Sequence, residues 1–366
     1  MNIMNSLGFD KAEKDTKIIV AMSGGVDSSV AAVKLKKEGY DVTGITLRLY
    51  NQKNTSKSKS CCAGIDIEDA QKVANQYDFP HYVLDFQDRF YNGVISNFVE
   101  SYSNGETPVP CIKCNQTVKF SDLLNESKKL NADTLVTGHY AIRKGGLKGS
   151  KLYKAIDKSK DQSYFLFATL QDQLDYVRFP LGGYFKSEIR KMAEDYKLVV
   201  SDKPDSQDIC FVTSDSYRDF INKIQPEINK EGNIFDINGI RIGTHKGIAN
   251  YTVGQRKGIG VGGQEKPLYV KEVNKDQNYI VLAEYENLQK NKIFFKNINL
   301  LDNEIKNQDL ECSAKIRSTQ NEISGKLTIT DNSGYFLFDE VISATSPGQA
   351  CVFYKNEQVL GGGWIT

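Results

Sequence analysis

The segment KIIVAMSGGVDSSVAAVKLKKEG, residues 17–39, decides the fold class. KIIVAM is a short, β-branched apolar run and reads as a buried parallel strand. SGGVDSS follows, and then a stretch with Val26, Val30 and Val33 at helical spacing, which Gly39 stops. A strand feeding a glycine turn that opens a helix is the start of an α/β unit. Gly24 and Gly25 let the backbone approach a ligand with no Cβ in the way. Ser23, Ser28 and Ser29 offer hydroxyls, and the helix N-terminus presents free N–H groups to an anion. The Gly-Lys-Ser/Thr ending of a Walker A loop is absent, so this is a phosphate loop of another kind. A plain glycine turn with a serine cap is the alternative, and the flanking strand and helix weigh against it.

Downstream, the alternation continues. In YDVTGITLRLY, Ile45, Leu47 and Leu49 alternate as in a strand; IDIEDAQKVANQYDF reads as a helix, and HYVLDF and ADTLVTGHYA as strands. This predicts a doubly wound parallel-sheet α/β domain. The pattern fades near residue 210, where glycine-rich turns begin to separate short alternating runs, with a helical stretch only in DSYRDFINKI. The tail reads as antiparallel hairpins closing into a small barrel. Expected domains are therefore 1–215 (catalytic, nucleotide-binding), 216–288 (small, central) and 289–366 (β-barrel). NQKNTSKSKS, residues 51–60, reads as a polar loop, and no internal repeat is present.

Composition narrows the function. A chain of 366 residues exceeds one comfortable core, and 40% hydrophobic with 25% charged residues is ordinary for a globular protein. No apolar run approaches the roughly 20 residues of a membrane helix, and the N-terminus has neither secretory nor transit character. A cytoplasmic protein without membrane association is expected. Seven cysteines (61, 62, 111, 114, 210, 312 and 351) are an odd number that argues against a disulfide framework. With only His81, His139 and His245, a histidine-rich metal site is disfavoured. Lys+Arg 47 against Asp+Glu 46 means that any polyanion footprint is local.

Two local features carry chemistry. In TPVPCIKCNQTVKF, residues 107–120, Cys114 precedes Asn115, a good N-cap residue, and a helical run with Phe120, Leu123 and Leu124 on an apolar face. A thiol beside a helix N-terminus, with Lys113 and Lys119 near in sequence, is expected to have a lowered pKa. Residues 141–162 hold seven basic side chains (Arg143, Lys144, Lys148, Lys151, Lys154, Lys158, Lys160) against Asp157 and Asp161. Such an excess suits phosphate-backbone binding; a solvated hairpin with ordinary surface lysines is the alternative.

SGGVDSS resembles the loop of the ATP-pyrophosphatase superfamily. With it, TPVPCIKCNQTVKF, LVTGHYA, KDQSYFL, SQDICFV, GTHKGIANYTVGQRKGIG and PGQACVFYKNEQVLGGGWI resemble, in the same order, the tRNA-specific 2-thiouridylase family over nearly the whole chain. The resemblance implies an ATP- and Mg²⁺-dependent enzyme that adenylates the 2-oxygen of the wobble uridine in the tRNA anticodon and replaces it with sulfur. Its ATP residues would be Ala21, Met22, Ser23, Gly24, Gly25, Val26, Asp27, Ser28, Leu47 and Gly138. Cys210 would carry a persulfide from a sulfur-relay protein or cysteine desulfurase, and Cys114 would close a transient disulfide with it. Val109, Pro110 and Cys111 would lie beside the target base, and His139, Lys160, Asp161, Gln162, Arg317, Ser318 and Gln349 would contact tRNA. A structural histidine is the alternative at position 139. A monomer is expected, with the barrel as a tRNA-binding domain.

Some relatives carry an aspartate three residues before the catalytic cysteine, where this chain has Cys111, so the general base is open. Cys61 and Cys62 also occur in many relatives and read as packing residues. Rival readings are an iron–sulfur cluster on Cys111, Cys114 and Cys210, a structural zinc site, a small-molecule adenylating ligase, and a non-catalytic RNA-binding protein.

Overall fold

The computed structural model describes residues 4–50, 64–147, 149–205, 209–212, 216–263, 265–305 and 309–366. Cys61, Cys62, Lys148 and the polar stretch 51–60 lie outside the described residues. Two compact units result: Met1–Val94 with Cys111–Thr213 and Glu357–Val359, and Ile95–Pro110 with Ser214–Asn356 and Leu360–Thr366.

The first unit is built on strands β1 (Lys17–Ala21), β2 (Asp41–Arg48), β3 (His81–Asp85), β4 (Thr134–Thr137) and β7 (Val177–Arg178), all parallel, in the order β3-β2-β1-β4-β7. Ile18, Ile19 and Val20 of β1 are fully buried, because helices covering both faces of a parallel sheet make its central strand apolar throughout. Helix α1 (Val26–Lys37) packs Val30, Val33 and Leu35 into the core beneath the sheet, with α2 (Gly64–Gln76) and the helix Lys186–Asp195 alongside. Truncating a core residue such as Ile18 to Ala would cost about 2–5 kcal/mol. Strands β5 (Ala141–Lys144) and β6 (Lys151–Lys154) form an antiparallel hairpin, extended by residues 358 and 359 against β6.

In the second unit, β8 (Gly232–Phe235), β9 (Arg241–His245), β10 (Tyr269–Asn274) and β11 (Tyr279–Ala283) form a mixed sheet in the order β10-β11-β8-β9. Strands β12 (Gln289–Leu300), β13 (Asp309–Lys315), β14 (Ile323–Thr330), β15 (Ser333–Ser343), β16 (Ala350–Lys355) and β17 (Gln358–Ile365) follow. They run β12-β15-β14-β13-β16-β17, and β17 returns to β12, closing a six-stranded antiparallel barrel. Ile293 and Phe295 point inward while Phe294 points out, the period-two pattern that the tail predicts. The barrel core stacks Phe295 and Phe336 on Phe353, with ring centroids 5.0 and 6.3 Å apart. Residues 95–110 cluster with this unit: Tyr102 stacks on Tyr217 at 4.6 Å and Phe98 meets Phe220 at 6.3 Å. No helix among the described residues is long and apolar enough to cross a membrane.

Candidate active site

Ala21 pairs with Ile45 on one side and Thr137 on the other, so β1 and β4 end level while β2 runs three residues further, to Arg48. The loops leaving β1 and β4 carry Met22–Gly25 and Gly138, and Leu47 lies near the carboxyl end of β2, which places the expected nucleotide residues at one end of the sheet. Strand order reverses between β1 and β4, and open α/β sheets bind ligands in the crevice at such a point. Gly24 has φ +72°, and a Cβ there would sit 2.1 Å from Asp66 O. A Cβ on Gly138 would lie 2.9 Å from the Ser28 backbone nitrogen. Gly138→Ala must therefore push β4's loop away from the start of α1. The expected result is about tenfold weaker ATP binding by calorimetry, with a stability loss of about 1–3 kcal/mol.

Hydroxyls tighten the loop: Ser23 N donates to Ser28 Oγ (3.1 Å), and Ser28 Oγ donates to Gly25 O (3.3 Å). The first-turn N–H groups of α1 have no intrahelical acceptors, which leaves them for an anion. Cations from distant segments surround them. Lys186 Nζ donates to both Asp27 oxygens (2.7 and 2.8 Å) and lies 2.9 Å from Asp205 Oδ1. Tyr140 OH also donates to Asp27 (2.7 Å). Lys203 Nζ donates to Gly24 O and Asp69 (both 2.9 Å) and to Asp66. Asp205 further accepts from Lys160 and Arg190, both at 2.8 Å. Burial opposes ionisation of Asp205, but Lys160 and Lys186 outweigh it and hold its pKa at about 2. No spacing in the sequence marks Lys186, Lys203, Asp205 or Tyr140, since each reaches the loop only through tertiary folding.

The cysteine segment departs from expectation. The helix starts at Pro110, not after Cys114, and Asn115–Leu123 continues it as a π-helix. Pro110 suits the first helical position because its missing N–H would have no acceptor there. Asn115 is thus not a cap; it is buried and its Nδ2 donates to Phe165 O (3.1 Å). Cys114, at 8% exposure, has its pKa raised: burial dominates, Lys119 opposes it and Cys111 adds to it. The expected low-pKa thiol is corrected to a buried one, because desolvation outweighs nearby charge. Cys111 is exposed and Cys114 buried. Among the described residues no three His, Cys, Asp or Glu side chains are grouped as metal ligands.

Cys210, partly exposed, sits on a short turn pinned by Tyr50 OH donating to Cys210 O (3.0 Å) and by Phe211 against Phe90 (5.6 Å). His139 Nδ1 is hydrogen-bonded to Thr137 Oγ1 at 2.7 Å, and its ring packs between Phe120 and Phe179. Burial and then Lys119 hold His139 well below the usual histidine range, so it is neutral at pH 7.

The basic patch is largely engaged within its own unit. Arg143 donates to the carbonyls of Leu174 and Asp175, Lys154 is buried, Lys158 pairs with Glu357, and Lys160 with Asp205. Asp161 accepts from Ala155 N (2.9 Å) and Ser163 Oγ (2.7 Å), and Gln162 Oε1 accepts from Tyr140 N (3.0 Å). In the second unit, Gln349 Nε2 donates to Thr107 O (2.8 Å), bracing the strand-like run that precedes Val109 and Pro110. Arg317 and Ser318 are exposed, Arg317 donating to Ala344 O.

A glycine loop at a sheet switch point, ringed by lysines, defines an ATP-pyrophosphatase-type enzyme domain. Family models match in sequence: a tRNA methyl transferase HUP domain over residues 16–214, a tRNA methyl transferase PRC-barrel domain over 218–284, and an aminomethyltransferase β-barrel domain over 290–365. The tRNA-specific 2-thiouridylase MnmA of Wolbachia pipientis from Culex pipiens is 50% identical over 97% of this chain and 96% of its own. The enzyme of that name from Rickettsia massiliae is 48% identical (97% and 98% covered), and that from Rhodospirillum centenum 47% (99% and 94%). The chain belongs to the tRNA-specific 2-thiouridylase family, a family of tRNA-modifying sulfurtransferases.

Proposed function

We propose that this enzyme converts the wobble uridine of tRNA to 2-thiouridine at the cost of ATP, releasing AMP and pyrophosphate. The observation that carries the reading is one compact unit holding both a lysine-ringed phosphate loop and two cysteines, one buried on a helix and one on a pinned turn. The α1 N-terminus, Lys186 and Lys203 would bind the triphosphate. Asp27 and Ser28 are the loop oxygens that would hold Mg²⁺ beside the phosphates, Asp27 by exchanging Lys186 for the ion as Lys186 turns to the phosphates. Bound there, the ion supplies charge neutralisation to the leaving pyrophosphate.

In this reading the uridine 2-oxygen attacks the α-phosphorus, which makes it a good leaving group. Cys210 carries a persulfide from a sulfur-relay or cysteine desulfurase protein. Cys114 as thiolate attacks Sγ of Cys210, the Cys114–Cys210 disulfide forms, and hydrosulfide departs with the bonding pair. Hydrosulfide adds to C2 and expels AMP, and an external dithiol then reduces the disulfide. Val109, Pro110 and Cys111 flank the splayed base. His139, Lys160, Asp161, Gln162, Arg317, Ser318 and Gln349 are tRNA contacts, neutral His139 as a hydrogen-bonding group. For Lys160 that role requires exchanging Asp205 for a phosphate. Residues 1–215 would form the catalytic domain, 216–288 the central one and 289–366 the tRNA-binding barrel, in a cytoplasmic monomer.

The test supplies unthiolated tRNA, ATP–Mg²⁺ and a persulfide donor, and scores 2-thiouridine by retardation on a mercury gel. A retarded tRNA band dependent on ATP is expected. No band, with folded protein and a donor that works on a related enzyme, sinks the reading.

A further inference from the structure

In an α-helix, residues five apart do not share a face, whereas a π-helical turn closes on an i→i+5 bond. Cys114 enters the π segment with helical φ −60° and ψ −44°, and at its far end Leu124 N bonds back to Lys119 O. Lys119 therefore lies one π turn beyond Cys114, on the same side of the helix. Its ammonium acts electrostatically on both the Cys114 thiol and the His139 ring, which sits just past the end of β4. It is half-buried beside the Phe120–His139–Phe179 ring cluster, whose centroids are 6.0–6.2 Å apart. Lys160, Lys186 and Lys203 each have an aspartate, but among the described residues Lys119 has no carboxylate and no side-chain hydrogen bond. A partly desolvated ammonium without a counter-charge is costly and suits a site that must hold an anion.

We propose that Lys119 is the positioning residue that makes buried Cys114 a nucleophile, its ammonium holding the thiolate that attacks the Cys210 persulfide. This rests on the persulfide reading above. The Cys114 proton leaves to water. The thiolate forms a bond to Cys210 Sγ as the Sγ–SH bond breaks, so the sulfane sulfur is reduced to hydrosulfide and the two cysteines are oxidised to a disulfide. Charge at Cys114 is set from its own helix by Lys119, which favours the thiolate, and by Cys111, which opposes it. From the end of β4 comes only His139, which stays neutral and so neither competes for the role nor repels the lysine. The π register is what makes the pairing possible; in a regular α-helix Lys119 would face away from the thiol.

The test reads the pH profile of Cys114 alkylation by iodoacetamide in the otherwise native protein, resolved by peptide mass spectrometry. Lys119→Gln is expected to move the profile to higher pH and cut Cys114 alkylation about tenfold at any pH below its pKa. Lys119→Arg is expected to restore it. An unshifted profile in Lys119→Gln overturns the proposal, and so does a Lys119→Arg profile displaced as far as that of Lys119→Gln, since charge would then not be the cause. If the titration shifts as expected but wild-type enzyme fails to thiolate tRNA with any persulfide donor, the persulfide reading falls while the Lys119–Cys114 coupling stands.

Discussion

Cys210→Ser is expected to lower 2-thiouridine formation by about 10³-fold or more, while ATP binding stays within about twofold of wild type. A hydroxyl cannot accept sulfane sulfur, so no persulfide forms and hydrosulfide has no source. The fold should tolerate the change: the turn is held through the Cys210 carbonyl by Tyr50 and through Phe211 by Phe90. Cys114→Ser is expected to be equally inactive for a different reason. There the persulfide accumulates on Cys210, 32 Da heavier by mass spectrometry on the order of a single sulfur atom, because nothing resolves it. Mercury-gel activity, calorimetric ATP titration and intact mass measure all three outcomes. Full activity in either variant removes that thiol from the mechanism.

Lys186→Met is expected to weaken ATP binding by about 100-fold and to destabilise the protein by about 2 kcal/mol in urea unfolding. Lys186 is nearly buried, and its ammonium links Asp27 of the phosphate loop to Asp205. Without it, two carboxylates converge with, among the described residues, only Tyr140, Lys160 and Arg190 to compensate, and the loop loses a cation for the triphosphate. The stability term is set well below that of a fully buried pair, because Asp27 and Asp205 keep side-chain exposures of 32% and 23%. Its pH dependence has a definite sign. Asp205 is depressed to about 2 from 3.8, so its contribution is complete above the unfolded value and is lost as pH falls through the folded one. Wild-type and variant stabilities should therefore converge between about pH 4 and pH 2. A constant gap across that range would show that Lys186 acts through packing alone.

Much of the first unit was legible in residues 17–39. β-Branched runs, glycines and helical spacing are local signals, and they named the strand, the loop and the helix that the structure contains. The short alternating runs of the tail likewise foretold antiparallel hairpins and a closed barrel. Expected nucleotide positions could be proposed from motifs, but not the lysines around the glycine loop: Lys186 meets Asp27 across 159 residues and Lys203 meets Gly24 across 179. The basic run 141–162 looked like a free phosphate-binding patch because sequence counts charges without their partners. Glu357 and Asp205, which neutralise Lys158 and Lys160, lie 199 and 45 residues away.

The cysteine motif divides the two kinds of information most sharply. The family resemblance of the ordered motifs named Cys114 and Cys210 as the thiols to watch, because motif order is a property of the chain. Whether Cys114 sits at a helix start, how deeply it is buried and which cation faces it depend on where the helix begins and on its pitch. Pro110 begins it and the π turn sets its register, so desolvation raises the thiol's pKa and Lys119, not the helix terminus, is the charge that opposes it. Periodicity thus determined the fold, and motif resemblance named the two cysteines proposed to react. Tertiary packing decided their ionisation, since desolvation and charge–charge distance exist only once the chain has folded.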